Sequence, residues 1–246
     1  MKPTYWLTRY IILRAVAFVY LFRFLSLAFQ VVPLIGEDGL TPVDTYLDRV
    51  GANVGGTWQG FLHLPSLFWL HHSDGFLLFM AWLGVVVSIV VLLGYTNALL
   101  QTFLWFLYMS FVHIGQLWYS YGWEIQLLET GFLAIFLCPL WRIKPFSTLP
   151  PPTALVYMFR WLSFRIHLGA GLIKMRADSC WRDLTCLFSH YETQPIPNPL
   201  SRVMHFAPQW FHKLGVVFTH FVQMVVPWFS FWPQMFARAA GGIMFL

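Results

Sequence analysis

The stretch FLLFMAWLGVVVSIVVLLGY, residues 76–95, contains no charged side chain and is long enough to cross a lipid bilayer as a single helix. A helix needs about 20 mainly apolar residues to span the hydrocarbon core. The rest of the chain is similarly apolar, with 58% hydrophobic and 10% charged residues, whereas soluble domains carry about 25% charged residues. The composition therefore predicts a polytopic membrane protein.

Apolar segments of this kind recur along the chain. The six segments lie at about residues 10–32, 76–95, 98–119, 122–141, 154–173 and 214–232. The fourth contains Glu129, and a charged residue in mid-helix costs roughly 2.5–3.5 kcal/mol on insertion scales, whereas each Leu, Ile, Phe or Val returns roughly 0.3–0.6 kcal/mol. Because the apolar neighbours of Glu129 largely cancel this cost, the segment is still expected to insert. The predicted fold class is all-α, a polytopic membrane helix bundle.

One long polar and aromatic loop divides the predicted bundle. We expect a multi-span membrane region over residues 1–173, a loop over 174–213, and further membrane segments over 214–246. The last residues, AAGGIMFL, form an apolar stretch without a polar flank. This ending is typical of a fragment of a longer protein.

The charges of the loops predict how the bundle is oriented. Basic residues without acidic neighbours occur before the first segment, at Lys2 and Arg9, and in the 142–153 link. The 33–75 loop is instead rich in acidic residues. Because cytosolic loops are enriched in Lys and Arg, we expect a cytosolic N-terminus, with the 33–75 and 174–213 loops in the lumen. The basic residues are otherwise scattered singly, which does not fit a nucleic-acid partner.

Ionisable side chains within the apolar segments are costly to bury and are therefore expected to face the bundle interior. They are Arg14, Arg23, Glu124, Glu129, Arg160, Arg165 and His167. We predict that Glu129 pairs with Arg160 or Arg165 and that this pair fixes how two helices dock. A proton or ion path through these groups is the alternative interpretation.

Two of the three cysteines, Cys180 and Cys186, share the predicted lumenal loop. Secretory compartments are oxidising, so the two can form a disulfide, and free thiols are the alternative. With His190 they form a C-x5-C-x3-H pattern, whose spacing is wider than that of standard zinc sites and which lacks an evident fourth ligand. The sequence therefore predicts no metal site and no cofactor.

The 174–213 loop is the strongest candidate for a binding surface. It combines aromatic with charged residues, and the prolines of QPIPNP, residues 194–199, favour an extended course. Such a loop can contact another polypeptide or lipid headgroups. Anchoring at the membrane interface without a partner explains the composition equally well.

The string CWRDLTCLFSHYETQPIPNPLS, residues 180–201, followed by PQWFHKLGVVFTHFVQMVVPW, residues 208–228, closely resembles the lipase maturation factor family of the endoplasmic reticulum membrane. Residues 5–20, 122–137 and 159–176 are similar to the same family in the same order. The opening segments look closer to the first of its two vertebrate paralogues. Family members continue well beyond the length of this chain.

The resemblance implies a membrane factor of the endoplasmic reticulum, not an enzyme, that helps dimeric lipases such as lipoprotein lipase to fold, assemble and be secreted. Its partners would be lumenal secreted lipases and membrane lipid. The implied client-binding candidates are Trp181, Arg182, Asp183, His190, Tyr191, Glu192 and Gln194. Two alternatives remain open: a membrane-embedded enzyme distantly similar to the vitamin K-dependent carboxylase, and a small-solute transporter.

Overall fold

The computed structural model describes residues 5–143 and 150–245. Helices make up the regular structure of these ranges, in which no β-strand occurs. The predicted all-α fold class is therefore confirmed. The chain forms two compact units, Met1–Leu155 and Val156–Leu246.

The described residues of the first unit form α1 (Trp6–Ile35), α2 (Val43–Val54), α3 (Thr57–His63), α4 (Asp74–Leu92), α5 (Ala98–Ile114) and α6 (Gly122–Ile135). Short 3-10 turns follow α3 and α5, at Leu67–Trp69 and Gln116–Tyr119. Helices α2 and α3 lie within the segment that the sequence predicts only as a loop. In α2, Val43, Leu47 and Gly51 are buried, and their four-residue spacing places them on one face of a helix.

Among the described residues, three helical stretches are long and apolar enough to cross a membrane: α1, α4 and Gln209–Phe231. Helix α5 is apolar but has 17 residues, and α6 has 14, so both fall short of the about 20 residues that a span needs. The fifth predicted segment also forms a helix but is not one of the three. All six predicted segments are thus largely helical, and length and hydropathy support three of them as spans.

The core of the first unit is an aromatic cluster between α1 and α5. Its rings, all fully buried, belong to Tyr20, Phe24, Tyr108 and Phe111. The Phe24 ring centroid lies 5.6 Å from that of Tyr108 and 6.3 Å from that of Phe111. On α4, a Cβ atom added at Gly84 would overlap the Phe24 ring. Because small residues let membrane helices approach closely, this glycine sets the distance between α1 and α4.

The connections of the first unit gather at two opposite ends. At one end the Glu37 N–H donates to Asp74 Oδ1 at 2.9 Å, which joins the end of α1 to the start of α4. Gln116 Nε2, just after α5, donates to Thr41 O at 2.9 Å at the same end. The α4–α5 turn meets the chain after α6 at the other end. This arrangement fits the predicted topology, and the side of the membrane that each end faces stays a prediction.

The second unit contains most of α7 (Thr153–Ala177), then α8 (Ser179–Arg182), α9 (Leu187–Thr193), α10 (Ser201–His205), α11 (Gln209–His220) and α12 (Gln234–Phe245). After α11 the chain continues as a π turn, Phe221–Val225, and a 3-10 turn, Val226–Phe231. Pro227 has no N–H to donate and therefore interrupts the α-helical hydrogen bonding. Arg160 Nη1 donates to Ser230 O at 3.2 Å and fastens α7 to this interruption.

Candidate functional site

A disulfide between Cys180 and Cys186 closes the start of the predicted binding loop. The N–H groups of Thr185 and Cys186 donate to Cys180 O at 2.9 and 3.2 Å. Asp178 Oδ1 accepts from the Cys180 N–H at 3.0 Å. Leu184 has a φ of 60°, a left-handed conformation that costs a non-glycine residue roughly 1–2 kcal/mol. The covalent bond and the hydrogen bonds together hold α8 and this turn in one conformation.

Trp181 packs against two helices of its unit, α7 and α11. The Lys174 Nζ on α7 lies 4.6 Å from the centroid of the indole ring, and the His220 ring on α11 lies 6.1 Å away. His220 Nε2 donates to Trp181 O at 3.0 Å. Partial burial lowers the pKa of the Lys174 ammonium. Trp181 is therefore half-buried and joins α8 to both α7 and α11.

Tyr191 on α9 makes a second contact with α11. Its ring centroid lies 5.8 Å from that of His212, and the Phe188 ring lies 5.7 Å from His212 on the same helix pair. The His212 side chain is buried. Although several histidines gather in this region, the part of the chain that the structure describes contains no group of three or more His, Cys, Asp or Glu residues that could hold a metal ion.

The remaining candidates lie on the outside of α8 and α9. Arg182, Asp183, His190 and Glu192 are exposed, and Gln194 is half-buried. Gln194 Nε2 lies 2.7 Å from His190 Nε2, which fits donation from the amide to the imidazole. The structure therefore brings all seven candidates into one region and divides them into packed aromatic residues and an exposed polar face.

A row of exposed apolar side chains follows the polar face, and the sequence analysis did not group its members into one surface. It comprises Ile196, Leu200, Val203, Phe206 and Trp210, which are 89%, 59%, 66%, 76% and 66% exposed. Leu200, Val203 and Phe206 recur every three residues around α10, which places them on one face of the turn. That spacing is the signal that could have identified them. The exposed polar face and this apolar row together form the candidate site.

A buried polar cluster surrounds Glu124 at the start of α6 in the first unit. Glu124 is 1% exposed, and its Oε1 lies 3.3 Å from Arg23 Nη1. Trp123 Nε1 donates to the same oxygen at 2.7 Å, and the Tyr108 hydroxyl donates to Oε2. Burial of a carboxylate is tolerated when such partners replace its water. The cluster therefore links α1, α5 and α6.

The sequence indicates that Arg23 and Glu124 are both buried charges, but it does not indicate that they pair. Arg23 and Glu124 can pair only because α1 and α6 are neighbours in the bundle. A single sequence does not show which helices are neighbours. The predicted pair is a different one, in which Glu129 of the first unit meets Arg160 or Arg165 of the second. That pair stays a prediction.

Comparison with known proteins agrees with the resemblance seen in the sequence. A family model described as the lipase maturation factor transmembrane domain matches residues 7–246. The chain is similar to lipase maturation factor 1 of Bos taurus, with 51% identity over 238 residues, which cover 93% of this chain and 42% of that protein. The human lipase maturation factor 1 is 47% identical over 241 residues, covering 93% and 41%.

Human lipase maturation factor 2 is more distant, with 34% identity over 255 residues that cover 95% of this chain and 35% of that protein. The expected closer similarity to the first paralogue is therefore confirmed. The chain spans about two fifths of the length of the lipase maturation factor 1 relatives. No solved structure matches it.

Proposed function

Because this chain belongs to the lipase maturation factor family, we propose that it is the membrane region of an endoplasmic reticulum factor that dimeric lipases such as lipoprotein lipase need in order to fold, assemble and be secreted. The family is one of maturation factors, and three helical stretches have the length and hydropathy of membrane spans. We further propose that the N-terminus is cytosolic, so that the 174–213 loop lies in the lumen, where secreted lipases fold.

The client-facing surface in this proposal is the exposed polar face of α8 and α9 together with the apolar row that follows it. Arg182, Asp183 and Glu192 are exposed and offer charged hydrogen-bonding groups. Phe206 and Trp210 offer apolar area nearby in the sequence. A surface that combines aromatic contacts with a polar rim is typical of protein interfaces. The observation that carries the proposal is that a disulfide and two helix contacts hold this mixed surface in place.

The structure suggests different roles for the packed and the exposed candidates. Trp181 and Tyr191 contact His220 and His212 of α11, so truncating either should loosen the segment and lower the amount of protein. The exposed Glu192 carboxylate lies 3.8 Å from His205 Nε2, but a surface ion pair contributes only about 0–1 kcal/mol. Surface substitutions in general usually change stability by less than about 0.5 kcal/mol. Truncating an exposed residue should therefore leave the amount of protein unchanged and affect the client alone.

The test uses the full-length protein, expressed in cells that lack the endogenous factor. Arg182→Ala and Glu192→Ala should give normal protein abundance with reduced secreted lipase activity. Asp48→Ala on α2, also an exposed charge, is the matched control and should leave both unchanged. If lipase activity follows abundance in every variant, or stays intact in all of them, the 174–213 loop is not the client-facing surface.

We propose no catalytic role and no cofactor. Membrane-embedded catalysis or solute transport would require a polar group of the interior to be available for a substrate. The Glu124 carboxylate is engaged by Arg23, Trp123 and Tyr108, which favours a role in helix docking. If Glu124→Gln abolished lipase maturation in cells while the variant accumulated and unfolded like the parent, the structural role would be contradicted and a catalytic or conducting one supported.

A further inference from the structure

The chain between α3 and α4 enters the interior of the first unit. Phe68 is fully buried, with its ring centroid 4.7 Å from that of Phe111 on α5 and 6.0 Å from that of Phe76 on α4. Ser66 Oγ donates to Ser110 O at 3.1 Å. Ser110 precedes the end of α5 by one helical turn, about 6 Å along the axis. Residues 64–69 therefore lie beside the last turns of α5 and not beyond its end.

Side chains satisfy the backbone of this irregular segment. Ser110 Oγ accepts from the Leu67 N–H at 3.1 Å, and His113 Nδ1 donates to Pro65 O at 2.7 Å. The Trp69 indole donates to a carbonyl of the same segment at 2.9 Å. In the bilayer no water is available for free backbone groups, so irregular backbone there is found only where the protein supplies partners. These bonds make the segment suited to a water-poor environment.

Helix α3 turns an apolar face away from the protein. Gly60 faces inward, because a Cβ atom at this position would overlap the Trp69 ring. Trp58 and Leu62 lie two residues to either side of Gly60, which places them on the opposite side of the helix. They are 67% and 60% exposed. The Phe61 ring stacks on that of Trp58 with a centroid distance of 5.8 Å, so the face is broad and aromatic.

The first turn of α4, a candidate membrane span, sets the depth of α3. Helix α4 has 19 residues and is about 28 Å long, close to the about 30 Å thickness of the hydrocarbon core. The Phe68 ring contacts Phe76 in the first turn of this helix, so residues 64–69 lie level with the end of α4. Helix α3 is joined to residues 64–69 and packs on Trp69.

We propose that α3 and residues 64–69 form a re-entrant element at the bilayer interface, with Trp58 and Leu62 inserted between lipid headgroups and acyl chains. Tryptophan is enriched at this level because its ring is apolar and its N–H is polar. Helix α2, which precedes α3, presents the exposed charges of Asp44, Asp48 and Arg49 to water. The partner of this face is thus a lipid leaflet. The acidic residues of the 33–75 segment predict a water-exposed loop, and α3 with residues 64–69 is a membrane anchor within it.

The test places one environment-sensitive fluorophore, NBD, on the intact chain. Trp58→Cys and Leu62→Cys are made separately in a chain carrying Cys138→Ser, because Cys180 and Cys186 are joined. Each labelled protein is placed in phosphatidylcholine nanodiscs, whose two faces are both accessible. The fluorophore should emit at shorter wavelength and be quenched by lipids with a nitroxide near the headgroup, more strongly than by lipids with a nitroxide at the chain end.

Asp48→Cys, labelled in the same way, is the matched control and should be quenched by aqueous iodide and not by nitroxide lipids. Iodide quenching at positions 58 and 62 equal to that at position 48 would overturn the proposal. Shielding from both quenchers, with crosslinking between two copies, would also overturn it and would assign the face to a second copy of the chain. Size-exclusion profiles check folding, and the Leu62 variant carries the test if the Trp58 variant does not fold.

Discussion

Replacing Glu124 by glutamine tests whether the buried cluster at the start of α6 stabilises the first unit. Glutamine keeps the shape of the side chain but removes the charge that lies 3.3 Å from Arg23. Leaving one member of a buried pair uncompensated costs about 3–5 kcal/mol. The Arg23 side chain is 33% exposed and can extend partly outward, so we expect the lower value, about 3 kcal/mol. Weaker hydrogen bonds from Tyr108 and Trp123 add about 1 kcal/mol.

The expected loss of about 4 kcal/mol is a change of about a thousandfold in the ratio of folded to unfolded protein. It is measured by titrating the protein in micelles with a denaturing detergent and following tryptophan fluorescence. The double variant Arg23→Gln, Glu124→Gln should recover part of the loss, because no charge is left alone. Glu37→Gln, an exposed carboxylate, is the control and should change stability by less than about 0.5 kcal/mol. Equal unfolding midpoints for Glu124→Gln and Glu37→Gln would refute a stabilising role of the pair. So would a double variant whose loss of unfolding free energy equals or exceeds the sum of the losses in the two single variants.

Alkylation without reductant should modify Cys138 alone among the three cysteines, because Cys180 and Cys186 form a disulfide. Modification of all three would contradict the disulfide. Gly84→Ala should lower the free energy of unfolding by about 1–3 kcal/mol, since the new methyl group overlaps a buried ring. Gly75→Ala on the same helix meets no atom within 4 Å and should unfold like the parent, so equal effects would show that packing is not the cause. The chain has no N-x-Ser/Thr sequon, so one introduced into the 33–75 loop should be glycosylated in cells and one introduced after α6 should not; the reverse pattern would invert the proposed orientation.

The sequence was sufficient to predict the fold class, because long uncharged runs such as residues 76–95 have few stable alternatives to a membrane helix. It was not sufficient to predict α2 and α3. The acidic residues of the 33–75 segment indicate water, and the spacing of Val43, Leu47 and Gly51 is a weak signal within a helix of 12 residues. The side-chain bonds that draw residues 64–69 against α5 depend on tertiary contacts, which a single sequence does not contain.

The candidate site shows the same division between what a sequence contains and what it lacks. Composition and family resemblance identify the 174–213 loop, but they do not show which of its aromatic residues face inward. Trp181 and Tyr191 face α11 because His220 and His212 happen to lie opposite them. The Phe206 ring contacts that of its chain neighbour His205 and stays 76% exposed. The orientation of each ring is decided by residues distant in the chain.

Two histidines attach the 174–213 loop to α11. His212 contacts Tyr191 and His220 contacts Trp181, and the two histidines lie about 12 Å apart along the helix axis. Two contacts this far apart oppose rotation of the loop relative to α11. We therefore expect the loop and the helix to move together. Helix α11 is the first part of the candidate span that ends at Phe231. A force applied to the loop would therefore be transmitted to the membrane-spanning helix. Rotation of this helix about its axis would in turn change the direction that the loop faces.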